Sequence, residues 1–362
     1  MKKLLFTLTF AVALSLGSTN AQINEIGKFF AGGADDAQTL ANAYLAPYFN
    51  AFGASMTGGW YNTAKSHKLG GFDITATFNT AIVPSSDKSF DILALDLVSL
   101  KYADIPDNNS ITPTIAGENE TGTQLNYAYA GAPETKALDM PKGTGWAYIP
   151  SPMLQLGVGL VKDTEINGRY MPTFNGNGAK IGMWGIGAKH GLKQWIPFIK
   201  KVPVLHLSVQ YGYTKMNSSV DINVTPADIN AIDNTSDNIT WDNQAMEWVT
   251  QSHTANLIIS ADLPIVCFYG AVGFASTKTD LNMTGYFPSA SNYDISSGNI
   301  VVEDSGALLN PISTEFKNSD GNATKPRFNA GMRFKFAVVT LHFDYTYANY
   351  SMVTAGLGIS FR

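Results

Sequence analysis

Apolar and polar residues alternate one for one along much of the chain. Phe72, Ile74, Ala76, Phe78 and Ile82 form one face of a stretch whose other face is Asp73, Thr75, Thr77, Asn79 and Ala81. The same period of two recurs in Leu205–Tyr213, Ala255–Ala261, Val266–Phe274, Phe328–Phe336, Val339–Tyr347 and Val353–Phe361. A period of two predicts strands. Two more are expected over Met153–Lys162 and Gly178–Ala188, the second bulged where parity slips at Met183-Trp184. A weaker strand is expected over Ser55–Lys65. Each is about ten residues long, the length with which a tilted strand crosses a bilayer. Ahead of them, Leu40, Tyr44, Leu45, Tyr48, Phe49 and Phe52 share a helical stripe. A short helix is therefore expected over Asp35–Phe52, capped by Asp35 or Asp36 and kinked or shortened by Pro47. It would pack on the end of the fold or plug it.

A soluble sandwich alternates too, so composition has to choose between the two. Charged residues are 15% of the chain, against about 25% in ordinary soluble proteins. The polar faces carry Gly, Thr, Ser and Asn rather than Lys and Glu. Aromatic residues gather near strand ends, at Trp60-Tyr61, Tyr211, Tyr213, Trp248, Tyr345, Tyr347 and Tyr350, which reads as an interfacial girdle. After residue 21 no apolar run approaches the 18 residues of a spanning helix. Lipid accepts only helices and closed barrels. The fold class expected is thus all-β, a transmembrane antiparallel up-and-down β-barrel of 10–12 strands, 14 at most, with a short N-terminal helix. With both termini on one side, the tight links at Asp262–Pro264 and Ala337-Val338 fall on that side. The long links Asn217–Asn243 and Thr279–Lys325 fall opposite, as in outer-membrane barrels. The expected division is 1–21 a signal peptide, 22–54 a helical segment, and 55–362 the barrel, with 84–150 an insert or an extra strand pair.

The signal peptide is read from Lys2-Lys3, the apolar run Leu4–Leu16 and the small residues before Gln22. It directs the chain to the bacterial outer membrane on this reading, as a monomer in lipid. The last strand places Leu357, Ile359 and Phe361 on one face, the alternation ending in an aromatic that barrel-assembly machinery reads. Between His190 and Pro203, Trp195, Ile196 and Phe198 stand among Lys200 and Lys201, which suggests an amphipathic segment lying at the inner interface.

Candidate chemistry is sparse. No Lys/Arg cluster exceeds Lys200-Lys201, so no nucleic acid partner is expected. The single Cys excludes an internal disulfide. No nucleophile elbow, zinc-protease helix or phosphate loop occurs, so no catalytic residue, metal or cofactor is assigned. A membrane hydrolase pairing a Ser with a His on neighbouring strands is the enzymatic alternative. The loop carrying Asp221, Asp228, Asp233, Asp237 and Asp242 reads as a solvated acidic surface. The richest polar group lies on the hairpin turning at Ala337-Val338. That turn sets Arg333 across from His342 and Lys335 across from Thr340, with Asp344 diagonal to Arg333. With Arg327 these form a lumen polar cluster, either an ion pair filling a narrow interior or a charged constriction.

The stretches Ala43-Tyr44-Leu45, Phe52-Gly53-Ala54-Ser55, Gly59-Trp60-Tyr61-Asn62-Thr63-Ala64-Lys65 and Gly71-Phe72-Asp73 resemble an uncharacterised outer-membrane β-barrel family common in the Bacteroidetes. Lys193-Gln194-Trp195-Ile196-Pro197 and Tyr211-Gly212-Tyr213-Thr214-Lys215-Met216 are similar too. That family looks distantly like the long-chain fatty acid transporter barrels. The resemblance implies passage or binding of small hydrophobic molecules. The transporters' Asn-Pro-Ala element does not follow residue 21 here, so their gating mechanism does not carry over. The alternative role is a surface-structural or secretion-associated barrel that binds a protein or glycan through its acidic outer loops.

Overall fold

The computed structural model describes residues 24–129, 134–176, 178–317 and 324–361; the signal peptide reading over 1–21 lies outside them. Ten long strands carry the fold: β1 Phe72–Ile82, β2 Tyr148–Gly159, β3 Thr164–Gly176, β4 Ala179–Gly191, β5 Leu205–Ile222, β6 Gln244–Asp262, β7 Val266–Thr284, β8 Thr324–Phe336, β9 Val339–Tyr347 and β10 Met352–Phe361. Each pairs antiparallel with its sequence neighbours. The ring closes where β1 meets β10, from Phe72 opposite Phe361 to Ala81 opposite Met352. The Ala337-Val338 link gives the expected register, with Arg333 opposite His342.

Burial along the strands runs opposite to that of a soluble protein. On β6, Leu257 is 43% and Ile259 46% exposed, while Asn256 and Ser260 on the opposite face are 5% and 2%. On β1, Ile74 is 45% exposed and Thr75 3%. Apolar residues face out all round the ring and polar residues face in. Burying polar groups while exposing this many large apolar ones is favourable only when hydrocarbon is outside.

The helix, α1, runs Gly33–Met56 straight through Pro47. At 24 residues it is about 36 Å long, longer than expected, and it passes from outside the ring into its mouth. Its start is held by a carboxylate. Asp36 is fully buried and accepts backbone N–H bonds from Val98 (2.7 Å), Ser99 (2.9 Å) and Leu100 (2.9 Å). It therefore serves the residues 83–147, not the helix cap. Those residues fold as an insert of short strands. With the loops after β5 and β7 they cover the helix, and Phe29, Phe30, Leu100, Tyr127, Val224, Phe287 and Val302 share one apolar core with it.

Four expectations change. Ser55–Lys65 is not a strand: the helix takes residues 55 and 56, and residues 57–71 run irregularly down the lumen. There Trp60 and Tyr61 are buried, so they are no part of a girdle, and neither is Trp248, which packs inward on Phe49. The tenth strand is β3, whose outward apolar run is broken by Gly168 and Pro172. The bulge lies on β3 between Met171 and Phe174, not at Met183-Trp184. Finally, the first described residues lie at the opposite end from the C-terminal strand: Asn24 accepts a bond from the Asn223 N–H beyond β5, whereas Phe361 pairs at the far end of β1.

Leu257→Arg, on the outward face, should lower stability by about 2–4 kcal/mol in lipid. Ile232→Arg, equally exposed but on the cover, should stay within about 0.5 kcal/mol of the parent. Denaturant titration of vesicle-folded protein measures both.

Candidate functional site

The hairpin cluster divides in two. Arg327, Arg333, His342 and Asp344 are buried in the lumen, and Lys335 is half-buried towards the tight-turn end. Asp344 accepts bonds from the Tyr269 hydroxyl and the Asn329 amide, both at 2.8 Å. Arg327 lies further along β8 and donates to the Thr57 carbonyl at 2.9 Å. It binds the inner segment rather than joining a ring of charge with Arg333 and His342.

That segment is fastened along its length. Arg169 on β3 donates to the carbonyls of Met56 (3.1 Å) and Gly58 (2.6 Å), and its guanidinium lies 3.5 Å from the centre of the Trp60 ring. A ring so close to the wall needs bare backbone there. A Cβ on Gly187 or Gly212 would sit 2.6 Å or 2.3 Å from Trp60. Lower down, His67 Nε2 meets Asp73 at 2.8 Å, the His67 N–H donates to Glu165 at 3.1 Å, and Lys189 pairs with Glu165 at 3.1 Å. One ligand atom each from His67, Asp73 and Glu165 falls within 4.8 Å of the others. The arrangement is better described as an ion network than as a metal centre. Lys189 already supplies the positive charge, and the Thr75 and Asn167 side chains donate to the carboxylates. The sequence reading missed this cluster because its members are far apart in the chain.

Part of the wall is left unzipped. The β2–β3 ladder runs only from Gly159 opposite Glu165 to Leu154 opposite Tyr170, although both strands continue beyond it. The Gly159 N–H donates to Gly71 and the Leu160 N–H to Thr164. Odd positions of β2 thus bond towards β1 and even positions towards β3. Positions 150 and 152 are both proline, so both donors facing β3 are missing. One ladder step beyond Leu154–Tyr170, Pro152 would face Pro172, and neither could donate.

Behind this split the lumen is lined with methionine. Met56, Met153, Met183, Met216 and Met352 are buried together with Ala51 and Phe52, and Met171, Tyr48 and Trp248 pack against them. Beside them lies a cavity of about 50 Å³ between α1 and the wall, bordered by Leu45, Tyr48, Phe49, Ile181, Ser218 and Trp248. Ser218 and Trp248 stand directly opposite each other on β5 and β6. Burial pushes the Tyr48 hydroxyl up to about 12. The signal that could have found this site was proline at 150, 152 and 172 inside otherwise alternating strands.

A larger hollow, about 670 Å³, is lined by Val209, Tyr211, Leu257, Val272, Phe274 and Phe328 among others. These side chains are on the outer wall, and the β4–β8 ladders behind them are continuous. It is a dent in the lipid-facing surface, bordered at its base by the inward-facing Lys189, Gln210, Asn256 and Arg327. Trp195, Phe198, Lys200 and Lys201 are exposed at the tight-turn end and Ile196 is half-buried. Leu357, Ile359 and Phe361 point outwards from β10.

Over residues 1–361 the chain matches the model of a family described as a family of unknown function, DUF6588. No curated protein matches it. Among solved structures it is similar to Ail, the attachment invasion locus protein of Yersinia pestis, at 10% identity over 81% of this chain and 98% of that one, with a TM-score of 0.25. It is similar to the outer membrane protease OmpT from Escherichia coli at 8% identity, over 80% and 97%, with a TM-score of 0.32. It is similar to a mutant of TodX, a monoaromatic hydrocarbon channel, at 8% identity, over 87% and 70%, with a TM-score of 0.28. Likenesses at these scores carry no argument about what this chain does.

Trp60→Ala removes the ring that fills the Gly187–Gly212 groove and caps Arg169. It should cost about 3–5 kcal/mol, read as a lower denaturant midpoint in micelles.

Proposed function

From a chain that belongs to DUF6588, a family of unknown function, we propose an outer-membrane barrel that takes small hydrophobic molecules from the bilayer through its wall. The observation that carries this reading is the β2–β3 split, set by Pro150, Pro152 and Pro172, with the methionine cluster behind it. A passage along the barrel axis is disfavoured by the segment 57–71, whose Trp60 and His67 are buried against the wall. An unpaired strand edge in hydrocarbon leaves peptide groups unsatisfied. Its persistence here is consistent with a role that needs the edge open. The Met side chains suit such a role, because a thioether on three rotatable bonds repacks around different shapes at little cost.

The direct test restores the missing donors. In Pro152→Val with Pro172→Val, the ladder should lengthen, seen as hydrogen-exchange protection at positions 152 and 172, and the thermal midpoint should rise. Association of tritiated 2-ethylnaphthalene with protein-loaded over empty nanodiscs should slow several-fold. An unchanged association rate with the ladder formed would overturn the reading. Planar bilayers holding the parent protein should carry no steady ion current.

A further inference from the structure

The cavity beside the methionine cluster is bordered mostly by apolar side chains, and two of its polar groups stand out. The Ser218 hydroxyl and the Trp248 indole N–H are both buried and have no hydrogen-bond partner among the described residues. They face each other across the β5–β6 ladder, and both residues border the same space. A buried polar atom without a partner costs about 1–3 kcal/mol, so two at one spot ask for an explanation. The space is adequate for a small polar group: a single water needs about 10–15 Å³ measured this way, and about 50 Å³ is present. Trp248 and Tyr48 belong at once to this cavity and to the shell of the methionine cluster. The polar spot is therefore continuous with the apolar one.

We infer that the bound molecule is an amphiphile with one uncharged oxygen, a carbonyl or hydroxyl, seated between Trp248 and Ser218, and an apolar body lying in the methionine cluster. This rests on the proposed lateral uptake and narrows it. The indole N–H can only donate, so the ligand must present an acceptor. A bare hydrocarbon would leave both protein groups unsatisfied. A carboxylate would need a counter-charge. Of the described residues bordering the cavity the one cation is Lys180, and Lys180 is exposed on the other face of β4, between the inward Ala179 and Ile181.

The test uses the full protein in nanodiscs and three naphthalenes of similar size: 2-acetylnaphthalene, 2-ethylnaphthalene and 2-naphthoate at pH 8. Equilibrium binding is compared between the parent and Trp248→Phe combined with Ser218→Ala. Phe keeps a ring against Phe49, and Ala keeps the strand, so folding is preserved; heat-modifiable gel migration checks it. The parent should favour the ketone over the hydrocarbon by about 5–10-fold more than the double variant does, the worth of one net hydrogen bond. The naphthoate should bind no better than the hydrocarbon. Equal ketone-to-hydrocarbon ratios in parent and variant would overturn the inference and leave lateral uptake of apolar molecules standing; they would mean the two groups hold only water. Tightest binding of the naphthoate would overturn the uncharged head. Binding of none of the three would remove the uptake reading and this inference together.

Discussion

Hydrocarbon solvates side chains but cannot hydrogen-bond a peptide group, and that constraint shapes the whole molecule. It forces every strand to find two neighbours, which closes the ring. It turns the side chains outside in, so that Ile74 and Leu257 are on the surface and Thr75 and Asn256 are buried. It also sets the cost of any gap. At the β2–β3 seam the pairing stops while both strands continue, and prolines stand where the next donors would be. Since a gap is costly in lipid, the place where the sequence removes the donors is the place to look for function.

What fills the interior follows from the size of the ring. Ten strands leave too much room for the wall side chains alone to close and too little for the wide channel of large porins. The chain supplies the filling itself. Asp36 anchors the start of α1 to the insert, Arg169 and Arg327 catch the segment where the helix ends, and the His67–Asp73–Glu165–Lys189 network holds it at the far end. Buried pairs of this kind fix position more than they add stability. Their effect is to leave the methionine cluster, with the cavity beside it, on the side where the wall is split.

The barrel was legible because the outward face of a membrane strand is uninterrupted apolar alternation, a local signal. It showed wherever the outward run was unbroken, as on β9 and β10, even with His342 and Asp344 pointing inward. It failed on β3, where Gly168 and Pro172 break the outward run. It misled over Ser55–Lys65, because Trp60 and Tyr61 imitate an alternating strand while owing their burial to Gly187 and Gly212, over a hundred residues away. The partners of Arg333 and His342 on the hairpin could be read from turn length alone. The pairing of Ser218 with Trp248 depends on the register of two strands joined by a long loop, and no local pattern encodes it. The cover formed by residues 83–147 has no period, since its short strands are ordered by a core shared with α1 and distant loops.

The central claim is that lipid surrounds the ring. Single spin labels at Leu257 and Asn256, neighbours that point opposite ways, test it most directly in protein reconstituted into vesicles. At 257 the label should collide with oxygen and be shielded from a water-soluble nickel chelate, while at 256 it should be shielded from oxygen in the bilayer. Free collision of the nickel chelate with the label at 257 would contradict the account.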